Sequence, residues 1–423
     1  MKTIVPSRII IVFFALFVSL LFTQCCEDPM GGQKTQPDLR PISGSAETLV
    51  ETSNSFAVDL FRSIHQEKSE ENIFISPLSV DIALHMTVNG ATGETKEVMK
   101  ETLGVANLSD EEVNEAAKLL MEQLLSMDQD VALAIANSIW FRDEYTLQSG
   151  FDQLIQDSYD GRIEGLNFNN PEAKSTINQW VEGQTQGKIK NLISQIKDSD
   201  VMFLINAIYF KANWQYQFDP AKTREASFYL MNETAVPVPM MSNEGAKVNY
   251  NYEDELQMVE LPYGNGQFSM IVLLPQGGNT VADLINNLTT EQFNNWLQQT
   301  DTLTTHLMMP KFKTEFKLNL SDVLKGMGME LPFTADANFG EFFNKIPGEK
   351  LYMDRVIHQT FIEVNEDGSE AAAATAVAIG LESINLERPS MIRLDRPFAY
   401  FIHEKHTGAI LFAGTMINPS LAN

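Results

Sequence analysis

The chain has 423 residues, 44% of them hydrophobic and 20% charged, enough to bury a sizeable core. A net charge of −26 and a pI near 4.6 exclude a protein that binds nucleic-acid phosphates through clustered Lys and Arg; the acidity reads as a solubilising surface. Lys2 and Arg8 precede an apolar run over 9–22, too short to cross a bilayer but of the right length for a secretory leader, so the protein is read as exported. Both cysteines, Cys25 and Cys26, stand at the end of that run, which leaves the folded body without a thiol or an internal disulfide. Residues 28–45 are rich in Pro, Gly, Gln and Ser and read as a tether. The expected organisation is a leader over 1–25, a tether over 26–45 and one folded body over 46–423.

Along the body, Phe56, Leu60 and Ile64 recur every fourth residue and predict a first helix from about Ser53, with Ser53 or Asn54 as its cap. Helical patterns follow over 94–103, closed by Gly104, and over 110–127. Short apolar or alternating runs over 201–211, 257–262, 268–274, 306–313, 399–403 and 409–412, bounded by Gly, Pro and Asn, predict strands. Helices dominate the first third and strands the rest, without strand-helix alternation, which predicts an α+β fold.

The segment Glu366-Asp367-Gly368-Ser369-Glu370-Ala371-Ala372-Ala373-Ala374-Thr375-Ala376-Val377 invites two readings. Alanine content favours a helix. As a strand, however, it would place Ser369, Ala371, Ala373, Thr375, Val377 and Ile379 on one face and its only charge, Glu370, on the other, with side chains small enough to slide between existing strands. Gly368 would give the backbone its freedom to turn inward.

Enzyme motifs are wanting. There is no Gly-x-Ser-x-Gly elbow, no His-Glu-x-x-His helix and no dinucleotide fingerprint, and Gly183-Gln184-Thr185-Gln186-Gly187-Lys188 is one residue short of a phosphate loop. His403 and His406, read as strand positions three apart, would point to opposite faces, so no metal or other cofactor is expected. A dispersed Ser-His-Asp set stays open as a weaker reading.

Five further blocks accompany the Ala-rich segment in a fixed order. They are Asn72-Ile73-Phe74-Ile75-Ser76-Pro77-Leu78-Ser79; Ile177-Asn178-Gln179-Trp180-Val181-Glu182 with Thr185-Gln186-Gly187-Lys188-Ile189; Asn206-Ala207-Ile208-Tyr209-Phe210-Lys211-Ala212-Asn213-Trp214; residues 306–312 around Met309-Pro310-Lys311-Phe312; and Arg396-Pro397-Phe398 with Phe412-Ala413-Gly414 and Asn418-Pro419. In this set the chain resembles a serpin from about residue 53 to 419. The resemblance implies three β-sheets, eight or nine helices, and an exposed reactive-centre loop over about 366–390 offered to an endopeptidase as bait. It makes Glu366, Gly368, Ser369, Ala371, Ala372, Ala373, Ala374 and Thr375 the hinge of that loop, in the small-residue pattern of inhibitory members, and so displaces the helix reading. It implies a polar shutter of Ser76, Ser79, Asn206 and His358 under the opening sheet, with Trp214 at the breach where insertion starts. A satisfied buried network and a core tryptophan describe the same residues equally well.

The implied activity is suicide-substrate inhibition of serine endopeptidases, with cysteine endopeptidases left open, by a monomer that traps the acyl-enzyme. The alternative is a non-inhibitory serpin that carries a ligand or chaperones a client. Counting seventeen residues from Glu366, as the family pattern requires, puts the reactive bond at Glu382 and Ser383, with Leu381 and Glu382 as the alternative pair. Arg388 is a poor candidate because Pro389 follows it. Finally, Leu21-Phe22-Thr23-Gln24-Cys25-Cys26 resembles a bacterial lipoprotein signal, although Gln24 is not the usual small residue. The resemblance implies lipid attachment at Cys26, with Cys25 as the alternative, and membrane anchorage at the outer membrane or cell surface.

Overall fold

In a computed structural model of the protein, which describes residues 39–345, 351–369 and 391–421, the first helix α1 covers Ser45–Lys68. It starts ahead of the expected Ser53 because its apolar stripe reaches back through Val50 and Leu49 to Ala46. Ser53 and Asn54, expected as caps, lie instead in the middle of the helix and are buried. The Ser53 hydroxyl donates to Asp81 Oδ2 at 2.5 Å, while Asn54 donates to the Gly408 carbonyl and accepts from Ile410 N–H. Their polarity serves tertiary contacts rather than a helix end. Ser45, assigned to the tether, is the first helical residue. Just before it the Arg40 carbonyl accepts from Gln123 Nε2 at 2.6 Å, so this stretch lies on the body.

The second helix, α2 (Pro77–Val88), is buried along its whole length, with Ser79, Asp81, His85 and Thr87 among the buried residues; Ser76 caps it and Pro77 occupies its first turn. Helices Gly93–Thr102 and Asp110–Ser126 follow as the sequence predicts, the second opened by a reciprocal capping box of Ser109 and Glu112. Nine α-helices occur among the described residues. None of these is long and apolar enough to cross a membrane.

Strands form sheets of nine, six and two members, which with the helices make the α+β architecture. Five strands of the nine-stranded sheet were legible in the sequence, but the run over 306–313 divides into Asp301–Pro310 and Phe312–Asn319: the Lys311 N–H still bonds the Pro239 carbonyl in the nine-stranded sheet, and Phe312 then pairs with Val364 in the six-stranded one. The six-stranded sheet carries the site. Its members are β1 (Ala132–Arg142), β2 (Arg162–Leu166), β3 (Met202–Asn213), β4 (Phe312–Asn319), β5 (Ile357–Val364) and β6 (Gly368–Ser369), in the order β4-β5-β6-β3-β1-β2. The two-residue β6 runs antiparallel to both β5 and β3, which are therefore parallel to each other. Alternation along β3 separates the faces: Phe203, Ile205 and Ala207 join a cluster with Ile177 and Val181 of helix Glu172–Gln184, while Ile208, Phe210 and Ala212 join the main core.

Candidate functional site

The site begins where β5 ends. Asn365 makes the turn: its side-chain oxygen accepts from the N–H groups of Asp367 (3.0 Å) and Gly368 (3.2 Å), and its own N–H donates to the Gly368 carbonyl (2.9 Å). Gly368 and Ser369 then enter the sheet, Gly368 opposite Asn213 and Ser369 between Ala212 and Val364. A Cβ on Gly368 would lie 2.0 Å from the Ala212 carbonyl oxygen and 2.6 Å from the Asn213 Cα, so only glycine permits this approach of two backbones.

Ser369 faces the core, as the alternation predicts. It is 1% exposed, and its hydroxyl sits 2.6 Å from that of Tyr263. Burial lifts the Tyr263 phenol far above its ordinary range, against the smaller pull of the Ser369 hydrogen bond, so it stays neutral. Tyr263 stacks on Trp214 with centroids 4.4 Å apart. Trp214 in turn holds the turn leading into β6, its indole N–H donating to the Asn365 carbonyl (2.9 Å) and its backbone N–H to that of Asp367 (2.8 Å). Glu366 completes the anchor: Lys311 Nζ lies 2.7 Å from one carboxylate oxygen and Thr223 donates to the other at 2.7 Å. Burial opposes this charge, but the Lys311 and Thr223 bonds outweigh it and hold the carboxyl below the ordinary range.

Deeper in the sheet, the first turn of α2 touches both strands that flank β6. On one side the Ser76 N–H donates to His358 Nε2 of β5 at 3.0 Å, while the Ser76 hydroxyl donates to the Leu411 carbonyl. On the other, the Ser79 hydroxyl donates to Asn206 Oδ1 of β3, and Asn206 Nδ2 donates to Asn137 on β1. Asn137 passes the chain to the Tyr159 carbonyl at 2.9 Å. Burial pushes His358 down to about 4, so it is a neutral acceptor in this network. Ser76, Ser79, Asn206 and His358 are thus one connected group.

Some expectations fall elsewhere. Ala371, Ala372, Ala373, Ala374, Thr375, Leu381, Glu382, Ser383, Cys25 and Cys26 lie outside the described residues. His406 is not a strand residue at all; it sits in the turn after Phe398–Glu404, its N–H bound to Glu404, while His403 is buried in the strand. Among the described residues no group of three or more His, Cys, Asp or Glu could hold a metal ion. Sequence reasoning missed Tyr263, Asn137, Asn365, Thr223 and the role of Lys311. Lys311 lay inside a quoted block, whereas Tyr263 had no signal beyond its place after Pro262.

The family described as Serpin (serine protease inhibitor) matches the chain over residues 51–419. The protein is a serpin. An uncharacterised serpin-like protein of Thermococcus kodakarensis is 34% identical over 89% of this chain and 87% of its own, and Serpin-ZX of Hordeum vulgare is 34% identical over 86% and 95%. Among solved serpins, the thermophilic serpin tengpin in its native state superposes with a TM-score of 0.81 at 31% identity, covering 90% of this chain and 95% of that one. Human thyroxine-binding globulin complexed with thyroxine superposes equally well, TM-score 0.81 at 27% identity, covering 89% and 100%. This serpin is thus similar in fold both to a native thermophilic serpin and to a thyroxine-binding one.

Proposed function

We propose that the protein is a suicide-substrate inhibitor of serine endopeptidases, and of cysteine endopeptidases that pass through the equivalent acyl intermediate. The observation that carries this reading is β6: Gly368 and Ser369 already form an antiparallel strand between β5 and β3, and the small residues that follow in sequence can extend it. The protease nucleophile attacks the carbonyl of Glu382, the bond to Ser383 breaks, and the new amine leaves with a proton while the ester stays on the enzyme. Leu381 and Glu382 are the alternative pair. The freed hinge then zips down the sheet. About fifteen residues at roughly 3.3 Å each carry the attached enzyme on the order of 50 Å. With about 1 kcal/mol net per hydrogen bond plus burial of the apolar face, insertion releases roughly 10–20 kcal/mol, enough to distort a catalytic site that tolerates little displacement.

The inhibitor acts as an exported monomer held to the outer membrane or cell surface by a lipid on Cys26, or alternatively Cys25. A carrier or chaperone role is the second reading, favoured by the likeness to thyroxine-binding globulin. Against it stands the run of small residues that follows Gly368, the pattern of inhibitory members.

A panel of purified proteases separates the two readings. Inhibition requires a complex that survives boiling in detergent and a released C-terminal peptide beginning at Ser383; cleavage to free fragments with every protease favours the carrier.

A further inference from the structure

At the end of the sheet remote from β6, the strands that must part are joined by charge rather than by backbone. Asp200 stands just before β3 and Arg355 just before β5, and the guanidinium of Arg355 binds Asp200 Oδ2; the two side chains are 2% and 16% exposed. Asp200 is braced on the β3 side, and Arg355 reaches across from the β5 side to meet it. Arg142 of β1 donates to the carbonyls of Lys197, Asp198 and Asp200, and Lys197 N–H donates to Asp200 Oδ2 at 2.7 Å. Arg355 lies with its guanidinium 5.4 Å over the Phe203 ring and bonds its neighbour Asp354 at 3.0 Å. A more exposed second pair, Lys197 with Asp354 at 3.6 Å, crosses the same gap.

The register places this cluster on the path of insertion. Ser369 is flanked by Ala212 and Val364; nine residues back from each stand Phe203 and Arg355, which are in fact in contact. Continuing the same register, residue 378 would come level with Arg355 and residue 381 level with Asp200. A strand placed between β3 and β5 holds them at about twice the 4.7–4.9 Å strand spacing, which draws the Arg355 guanidinium away from the Phe203 ring and from Asp200, held on the β3 side by Arg142 and Lys197. The residues before 378 can be seated with the pair intact.

We infer that Asp200 and Arg355 form a latch that opposes only the last few residues of loop insertion, and so sets how often cleavage ends in capture rather than release. This rests on the loop-insertion reading above. It also gives the latch a use before cleavage, since it resists spontaneous full insertion of an uncut loop.

Two synthetic peptides test it on the intact protein without any protease: residues 370–381, which must pass the latch, and residues 370–376, which stop short of it. Uptake is followed as the appearance of a form with a raised unfolding temperature. Asp200→Asn keeps an acceptor for Lys197 N–H but removes the charge, and Arg355→Gln removes its partner. Each should speed uptake of the long peptide about tenfold, leave the short one unchanged, and gain nothing further in the double variant. Long-peptide rates that do not change, or equal acceleration of both peptides, overturn the latch alone. A wild-type protein that takes up neither peptide overturns the insertion reading beneath it.

Discussion

His358 and Asn206 stand at the same level of β5 and β3, six residues back from the pair that flanks Ser369, and both hydrogen-bond to the first turn of α2. One helix end thus clasps the two strands between which a loop would insert. The clasp depends on a neutral imidazole, because Nε2 accepts a hydrogen bond from the Ser76 N–H. His358 titrates near 4 in the fold against an ordinary 6.5, so the unfolded chain binds its proton first. Its contribution is complete above pH 6.5 and drains away as pH falls towards 4, by up to about 3 kcal/mol. His403, also pushed down to about 4 by burial, loses stability in the same window. Urea midpoints from pH 7.5 to 4 should therefore fall in both wild type and His358→Gln, but less steeply in the variant. Parallel curves would mean that His358 is not part of the acid response.

At the other end of β5, Glu366 is held by Lys311 and Thr223. Lys311→Met leaves a nearly buried carboxylate with one hydroxyl partner, a loss of about 1–3 kcal/mol that falls on the turn feeding β6. Because the carboxyl titrates below its ordinary value, the stabilisation is present above pH about 4.5 and is lost as pH falls through the folded value. The variant should melt lower than wild type at pH 7, with the gap closing as the carboxyl protonates in acid. A gap that persists unchanged to pH 3 would assign the loss to packing by the lysine stem.

The expectations that held are those carried by local pattern. Interleaved charged and apolar positions mark the helix Asp110–Ser126, and bounded apolar runs mark strands such as Phe268–Pro275, whose partners need not be known for the pattern to be read. Ser53 and Asn54 misled because a hydroxyl or amide before an apolar stripe looks the same whether it caps a helix or bonds to Asp81 and Gly408 across the core. β1 went unread, since Ala132–Arg142 lacks a clean alternation and is buried on both faces over most of its length. In the site, the serpin resemblance drew attention to His358, Asn206 and Trp214, but Tyr263 meets Ser369 from 106 residues away, and nothing in the local sequence of either residue marks that contact.

Gly368 offers a direct handle on the seated hinge. Gly368→Ala puts a methyl where the Ala212 carbonyl already lies, so β6 must leave the sheet. The Ser369 hydroxyl then parts from Tyr263, and the bonds from Trp214 to the turn are released. With about 1 kcal/mol lost per ladder bond, the hinge should be mostly expelled. Tryptophan emission should shift to the red, and capture of a target protease should give way to turnover as substrate. An unshifted spectrum with full inhibition would mean that the seated pair has no part in the trap.

If the cleaved segment extends β6 in its present register, Ala371, Ala373 and Thr375 take the core face behind Ser369, and Thr375 arrives level with His358 and Asn206. The clasp on α2 is then re-formed around a strand instead of a gap. A gain of roughly 10–20 kcal/mol far exceeds what separates most folded domains from unfolding, so cleavage within the loop should raise the melting temperature by tens of degrees. Ala373→Glu would bring a carboxylate to the core face, level with Ile208 and Thr360 in the continued register, and should cancel the rise and convert inhibitor to substrate without slowing the initial cleavage. A variant that still gains full stability when cut would place residue 373 on the opposite face, and the register drawn from Gly368 and Ser369 would be wrong.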